Sequence, residues 1–175
     1  MKLLKKLLLA IVVLVLLLVG SAFLLPAKYG VERSVEIAAS PEKVFDHVNH
    51  LQKNEAWSPW AAADPSIKTT YSSSVAKGVG AWYSWTSEKS GDGKLTIEVS
   101  EPPKRIVNEL DFMENGKGKG YWTFEATKAG TIATWRMEGD AGNDPVGRWF
   151  GFFIDGFVGP MFEDGLARLK KVSES

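Results

Sequence analysis

The first strong feature of the hydropathy pattern is an uncharged apolar run near the start of the chain. Residues Leu7 to Leu25 include fifteen Leu, Ile, Val or Phe residues and no charged residue. A helix of this length extends for roughly 28 Å at about 1.5 Å per residue, close to the ~30 Å hydrocarbon core of a bilayer. Because the run is apolar on every side, it predicts a transmembrane helix and not the core helix of a soluble domain.

The flanks of this run predict its orientation. Lys2, Lys5 and Lys6 precede it, and positive charges favour the cytoplasmic side, so the rest of the chain is expected outside the cytoplasm. A cleaved secretory signal is the alternative, with Gly20 and Ala22 as small residues near a cleavage site. The apolar run resumes after Ala22 and lacks an A-x-A triplet, which favours an uncleaved, single-pass anchor in the cell membrane.

Beyond the anchor, much of the chain alternates apolar and polar residues, the pattern of half-buried strands. The first such segment runs from Val31 to Ile37. Because short turns join consecutive segments, we expect an antiparallel sheet. Further strands are predicted over residues 70–71, 80–85, 95–100, 106–112, 121–125 and 133–138.

Two segments have the period of a helix. Ser40-Pro41-Glu42 is a typical helix start, and a long C-terminal helix is predicted to begin at Asp144-Pro145. Glycines and Pro160 lower the intrinsic stability of the second helix, so it must be held by packing on the sheet. Its apolar residues recur at helical spacing, and Trp149, Phe153, Phe157 and Met161 are expected to face the sheet. The full set is Val146, Trp149, Phe150, Phe153, Phe157, Met161, Leu166 and Leu169.

The order of these elements resembles the helix-grip fold of the START-related (SRPBCC) superfamily, in particular its polyketide cyclase/dehydrase and lipid-transport branch. The resemblance implies an α+β domain in which a curved antiparallel sheet wraps around the long C-terminal helix and leaves an apolar cavity. It covers about Tyr29 to Val172 and implies no particular reaction. The matching segments are residues 35–45, Trp57-Ser58-Pro59-Trp60, Gly78-Val79-Gly80-Ala81, Pro103, Arg105, Ile106 and residues 162–169.

Composition and charge narrow the classes of function. Removing the anchor, residues 1–26, leaves 149 residues, the size of one domain over residues 27–175. Three of the 21 basic residues belong to the anchor, so the domain carries 18 basic against 21 acidic residues, which predicts no nucleic-acid partner. The chain has no cysteine, and His47 and His50 alone do not make a zinc-ligand set. We expect no metal and, without a GxGxxG or GxxxxGK[ST] motif, no cofactor.

By the alternation, one face of the sheet carries many aromatic residues. Together with the C-terminal helix, this face predicts a mostly apolar pocket with few polar groups. The expected partner is an apolar small molecule or lipid. The predicted ligand-binding residues are Tyr83, Trp85, Asn108, Leu110, Phe112, Trp122, Phe124, Trp135 and Met137 on the sheet, and Phe153, Phe157 and Met161 on the helix.

The sequence therefore favours a membrane-anchored, extracytoplasmic domain that binds a lipid-like molecule. One alternative is a small-molecule enzyme of the cyclase or hydrolase type that uses the same cavity. Catalysis needs at least two titratable groups on the inner face, and the alternation places little besides Tyr83 there. The second alternative is a protein-interaction module with a filled core, for which Trp82, Tyr121 and Ile132 form a candidate outer patch.

Overall fold

A single antiparallel sheet forms the body of the domain, as the alternation predicts. The structure is a computed structural model that describes residues 2–89 and 91–175. The sheet has seven strands in the order β1-β7-β6-β5-β4-β3-β2, so the first strand pairs with the last. The strands are β1 (Lys28–Ile37), β2 (Lys68–Tyr71), β3 (Trp82–Thr86), β4 (Gly93–Glu101), β5 (Arg105–Asp111), β6 (Lys117–Ala126) and β7 (Thr131–Asp140).

The helices begin where the capping residues predict. Ser40 Oγ accepts a hydrogen bond from the Lys43 amide at 3.4 Å, and the Asp144 carboxylate accepts from the Val146 and Gly147 amides at 3.1 and 2.9 Å. These bonds satisfy amides that have no partner within the helix. The helices are α1 (Lys2–Ala22), α2 (Pro41–Asn49), α3 (Pro59–Ala63) and α4 (Pro145–Glu174), with 3₁₀ turns over Leu51–Ala56 and Met113–Asn115.

The main core lies between α2, the second half of α4 and one face of the sheet. Phe45 of α2 meets Phe124 of β6 edge-on, with ring centroids 5.5 Å apart. Leu166 and Leu169 of α4 are buried against the same cluster. The two helices and the sheet therefore enclose the main hydrophobic core, and the predicted α+β helix-grip architecture is confirmed.

The face that α4 turns toward the sheet differs from the prediction. Phe153 and Phe157 are 52% and 68% exposed, so the expectation that they face the sheet is wrong. Met161 is half-buried and lies outside the cavity described below. The buried residues in the part of α4 up to its last turn are Gly151, Ile154, Gly159, Phe162, Gly165, Leu166 and Leu169.

Close approach of the helix to the sheet explains this choice of face. A Cβ atom at Gly151 would lie 2.5 Å from Cδ1 of Tyr29, and one at Gly165 would lie 2.9 Å from Cζ3 of Trp135. Bulkier residues at these positions would force the helix away from the sheet. The glycines that weaken α4 as an isolated helix thus make its contact with the sheet possible.

Two glycine substitutions test this contact. Gly151→Ala is expected to lower the free energy of unfolding by about 1–3 kcal/mol, because the new methyl group overpacks against Tyr29. Gly156→Ala is the matched control, since a Cβ there has no neighbour within 4 Å. It should raise the free energy of unfolding by up to about 1 kcal/mol through helix propensity. Urea denaturation of residues 27–175 measures both, and equal stabilisation by the two variants would contradict the close contact.

Helix α1 projects away from the domain. It is 21 residues long and, by length and composition, apolar enough to cross a membrane. None of its most apolar 18-residue window is buried by the rest of the protein. Among the described residues it contacts the domain near its end, where Leu18 accepts a hydrogen bond from Trp149 and Ala22 is fully buried.

Candidate ligand-binding cavity

A cavity of about 240 Å³ lies between the sheet, α4 and the segment that follows α2. This volume is many times the ~10–15 Å³ that one water molecule needs on the same measure. The interaction-module interpretation requires a domain interior that is filled by its own side chains. This cavity argues against it. The walls come from β2 to β7, the roof from the 3₁₀ turn over Leu51–Ala56 and from α3, and one side from Phe162 of α4.

One wall is a series of rings that crosses the edge of the sheet. Tyr71, Tyr83, Trp85 and Phe112 follow one another with centroid distances of 5.9, 5.8 and 6.2 Å. The indole of Trp85 lies across Gly93 on β4, where a Cβ atom would come within 2.1 Å of the ring. The absence of a side chain at Gly93 therefore positions Trp85.

The opposite wall is a stack of tryptophans. Trp122 and Trp135 pair across β6 and β7 with centroids 4.8 Å apart, and Trp135 stacks on Phe162 at 3.8 Å. Trp57 in the roof meets both indoles edge-on at 5.5 and 5.7 Å. Its own indole N–H donates to the His47 carbonyl at 3.2 Å, which fixes its orientation. These flat, rigid surfaces suit the apolar body of a ligand.

Few polar groups reach the cavity, and two of them, Asn54 Oδ1 and Asn108 Oδ1, have no hydrogen-bond partner within the described residues. Asn108 is 6% exposed, and within the described residues its Oδ1 atom has no hydrogen-bond donor. Burial raises the pKa of Tyr83 to about 12, so this phenol stays protonated and can donate at physiological pH. The cavity can therefore offer both an acceptor and a donor to a ligand that is otherwise apolar.

At the rim, Tyr71 and Glu55 form a hydrogen-bonded pair. The Tyr71 hydroxyl donates to Glu55 Oε1 at 2.9 Å. Burial, followed by the hydrogen bond and charge of Glu55, raises the pKa of Tyr71. This pair brings one carboxylate and one phenol to the edge of the cavity.

Most of the residues predicted from the alternation line the cavity. Phe124 is an exception, because it is 5% exposed and packs between Phe45 and Trp122 in the core. The three predicted residues on α4, Phe153, Phe157 and Met161, do not line it either. The predicted residues at the wall are Tyr83, Trp85, Asn108, Leu110, Phe112, Trp122, Trp135 and Met137.

The pattern did not identify Glu55, Tyr71, Trp57 or Gly120 as lining residues. Gly120 lies two residues before Trp122 and therefore on the same face of β6. A glycine in the interior of a strand indicates local free space. The roof residues gave no such signal, because a 3₁₀ turn over six residues has no amphipathic period.

Arg33 and Asp155 bind each other and do not face the cavity. Arg33 Nη1 donates to Asp155 Oδ1 at 2.8 Å, and its Nε donates to Glu163 at 2.8 Å. The hydrogen bonds from Arg33 hold the pKa of Asp155 below its usual range. This cluster joins β1 to α4 outside the cavity. Within residues 2–89 and 91–175, no three His, Cys, Asp or Glu side chains converge as metal ligands.

Comparison with solved structures shows where this fold recurs. Protein BH1534 from Bacillus halodurans has a TM-score of 0.61 and 17% identity, over 83% of this chain and 96% of that chain. Protein CV1439 from Chromobacterium violaceum has a TM-score of 0.58 and 16% identity, over 84% and 99%. The di-domain ARO/CYC StfQ from the steffimycin biosynthetic pathway has a TM-score of 0.60 and 12% identity, over 85% and 52%. At these identities the likeness shows the fold alone.

Comparison of the sequence with known families identifies the family, which the structural comparison does not. No curated protein matches the chain. The sequence profile described as polyketide cyclase/dehydrase and lipid transport matches residues 29–174, which is nearly the whole chain after α1. The resemblance drawn from the residue pattern is thereby confirmed. This chain belongs to the polyketide cyclase/dehydrase and lipid-transport family.

Proposed function

We propose that this protein is anchored in the membrane by α1 and binds an apolar, lipid-like molecule outside the cytoplasm. The observation that carries the proposal is the cavity of about 240 Å³, walled by aromatic rings. Membership of a family described by lipid transport supports it. Tryptophan and tyrosine rings supply large apolar contact areas at a low cost in side-chain entropy.

The polar groups indicate what the ligand carries besides its apolar body. A buried acceptor without a partner costs about 1–3 kcal/mol, and Asn108 Oδ1 is such an acceptor. A ligand hydroxyl or N–H group placed there would offset this cost. We therefore expect a molecule with an apolar frame and at least one hydrogen-bond donor.

Energy transfer from the cavity tryptophans tests ligand binding. Trp57, Trp85, Trp122 and Trp135 all line the cavity, so their emission should excite a bound naphthylamine. Residues 27–175 titrated with N-phenyl-1-naphthylamine are expected to show saturable energy transfer that a long-chain alcohol displaces. Energy transfer that rises linearly with the probe concentration, without saturation and without displacement by the alcohol, would contradict the proposal.

The direction of insertion is tested separately. Lys2, Lys5 and Lys6 precede the apolar run, so the domain should lie on the far side of the membrane from the cytoplasm. A C-terminal fusion to alkaline phosphatase should be active in intact cells, and the same fusion to a fluorescent protein that matures only in the cytoplasm should stay dark. The reverse pattern would contradict this topology, and a mature chain that begins near Phe23 would indicate a cleaved signal.

The Glu55–Tyr71 pair favours a second candidate function. The Glu55 carboxylate accepts a hydrogen bond from the Tyr71 phenol at 2.9 Å beside an apolar cavity, so the two groups can act as a general base and a general acid. In this case the cavity would belong to a small-molecule enzyme of the cyclase or hydrolase type. The two functions differ in one observable: an enzyme converts a molecule held in the cavity into a product with a different mass or chromatographic retention, and Glu55→Gln prevents that conversion.

A further inference from the structure

The first half of α4 presents a stripe of large apolar side chains away from the sheet. Val146, Phe150, Phe153 and Phe157 are 76%, 52%, 52% and 68% exposed. Their spacing of four, three and four residues places them on one side of the helix, and we call them the outer stripe. Phe152 beside them is 58% exposed. A row of exposed rings of this kind marks an interaction surface.

Charge is distributed unevenly along α4. From Val146 to Phe162 its only charged residues are Arg148 and Asp155. Arg148 Nη1 donates to the Leu25 carbonyl at 2.8 Å, and Asp155 pairs with Arg33. Both charges are therefore engaged by the protein. Beyond Phe162 the exposed residues are mostly charged, namely Glu163, Asp164, Arg168, Lys171 and Glu174.

The outer stripe begins where α1 ends. The Trp149 indole N–H donates to the Leu18 carbonyl at 3.1 Å, one turn before the end of α1 at Ala22. The Arg148 guanidinium lies 5.3 Å from the centre of the Phe23 ring. These contacts hold the first turns of α4 at the level of the last turn of α1.

We propose that the outer stripe of α4 is inserted in the outer leaflet of the same bilayer that α1 spans. This inference rests on the proposed anchoring by α1. An interfacial helix buries its apolar face about 5–10 Å into the boundary between headgroups and acyl chains, and the opposite face of α4 packs on the sheet. Trp149 occupies the interfacial position that tryptophan favours. The aliphatic part of Arg148 can lie in the same layer while its guanidinium stays at the polar surface. The change to charged residues after Phe162 marks where α4 leaves the lipid.

Insertion of the stripe would place the cavity close to the lipid. Phe162 lines the cavity and follows directly on the apolar half of α4. One helix therefore contacts the bilayer with its outer face and borders the ligand site with its inner face. A ligand that dissolves in the bilayer then has a short path to its site.

Single nitroxide labels on the full chain in phosphatidylcholine vesicles test the inference. Because the natural sequence has no cysteine, each variant carries one label. Phe153→Cys and Phe157→Cys report on the outer stripe. Ala167→Cys is the matched control, since it is exposed and lies about four turns after Phe153 on the same side of α4. Leu14→Cys in the middle of α1 reports on anchoring.

The ratio of relaxation by oxygen to relaxation by a water-soluble nickel chelate is the readout. We expect the ratio at Phe153→Cys and Phe157→Cys to exceed that at Ala167→Cys several-fold, with Leu14→Cys highest. Equal, low ratios at the three α4 positions, with Leu14→Cys still high, would overturn the inference and leave the anchoring intact. A low ratio at Leu14→Cys would overturn both. Strong spin–spin broadening at the stripe in dilute vesicles would show that a second copy covers it, which also overturns the inference.

Discussion

Replacing Gly120 with leucine is expected to abolish saturable binding of N-phenyl-1-naphthylamine and to leave the domain at least as stable as the wild type. Gly120 is buried on β6 and faces the cavity. A Cβ atom there would lie 3.6 Å from Cβ of Asn108 and 3.7 Å from Cδ1 of Leu110, which is ordinary van der Waals contact. The backbone therefore accepts a side chain, and a leucine would occupy the ligand's space.

The control and the stability measurement separate this effect from misfolding. Gly120→Ala adds only the Cβ atom, so it should keep most of the probe binding. Removal of a glycine from a strand interior is expected to contribute about 0.5–1 kcal/mol to the free energy of unfolding. Urea denaturation of both variants measures this contribution. Wild-type probe affinity in a folded Gly120→Leu variant would contradict the assignment of the site.

Replacing Trp122 with alanine is expected to lower the free energy of unfolding by about 3–5 kcal/mol. Trp122 is 2% exposed, and its ring contacts Trp57, Phe124 and Trp135. Removal of this ring leaves a void among the three rings that surround it. Since a domain of this size is stable by only about 5–15 kcal/mol, far-UV circular dichroism in urea should show a large shift of the unfolding midpoint.

Trp85→Ala is the matched comparison, because Trp85 is half-buried and borders the cavity. Its ring already faces free space on one side, so fewer contacts are lost and the loss of stability should be clearly smaller. The same variant should lose most of its affinity for the probe. Unfolding of Trp85→Ala to the same degree as Trp122→Ala would show that both rings simply fill a core.

The sheet could be predicted because its signals are local. A period of two determines which side chains share a face of a strand, and this alternation placed Trp85, Asn108, Trp122 and Trp135 on the face of the sheet that lines the cavity. Helix starts were likewise encoded in two or three adjacent residues, as at Ser40. Such features need no knowledge of what packs against them.

The face of α4 could not be predicted in this way, because two stripes of the helix have helical spacing. Hydrophobicity selects the stripe with Phe153 and Phe157, but the sheet approaches the stripe with Gly151 and Gly165. Choosing the buried face of a helix by the size of its apolar side chains fails where helix and sheet come so close that only the hydrogen atom of a glycine fits between them. It also fails for a helix whose large residues contact lipid, as we propose for this one.

The roof of the cavity depends on contacts between segments that are distant in sequence. Glu55 and Tyr71 are sixteen residues apart and meet because β2 is placed at the end of the sheet. The 3₁₀ turn that carries Glu55 has no amphipathic period, and β2 is only four residues long, too short for its alternation to be recognised from the sequence. A cavity is a space between elements, so residue patterns predict its walls more readily than the short loops that close it.

Occupancy of the cavity can be read directly by native mass spectrometry. Residues 27–175 would be incubated with a lipid extract of the host membrane, separated from free lipid and sprayed under non-denaturing conditions. We predict an added mass on the wild-type protein that is lost on unfolding, and no added mass on Gly120→Leu. No added mass on the wild type, or the same added mass on both proteins, would contradict a lipid-like ligand in this cavity.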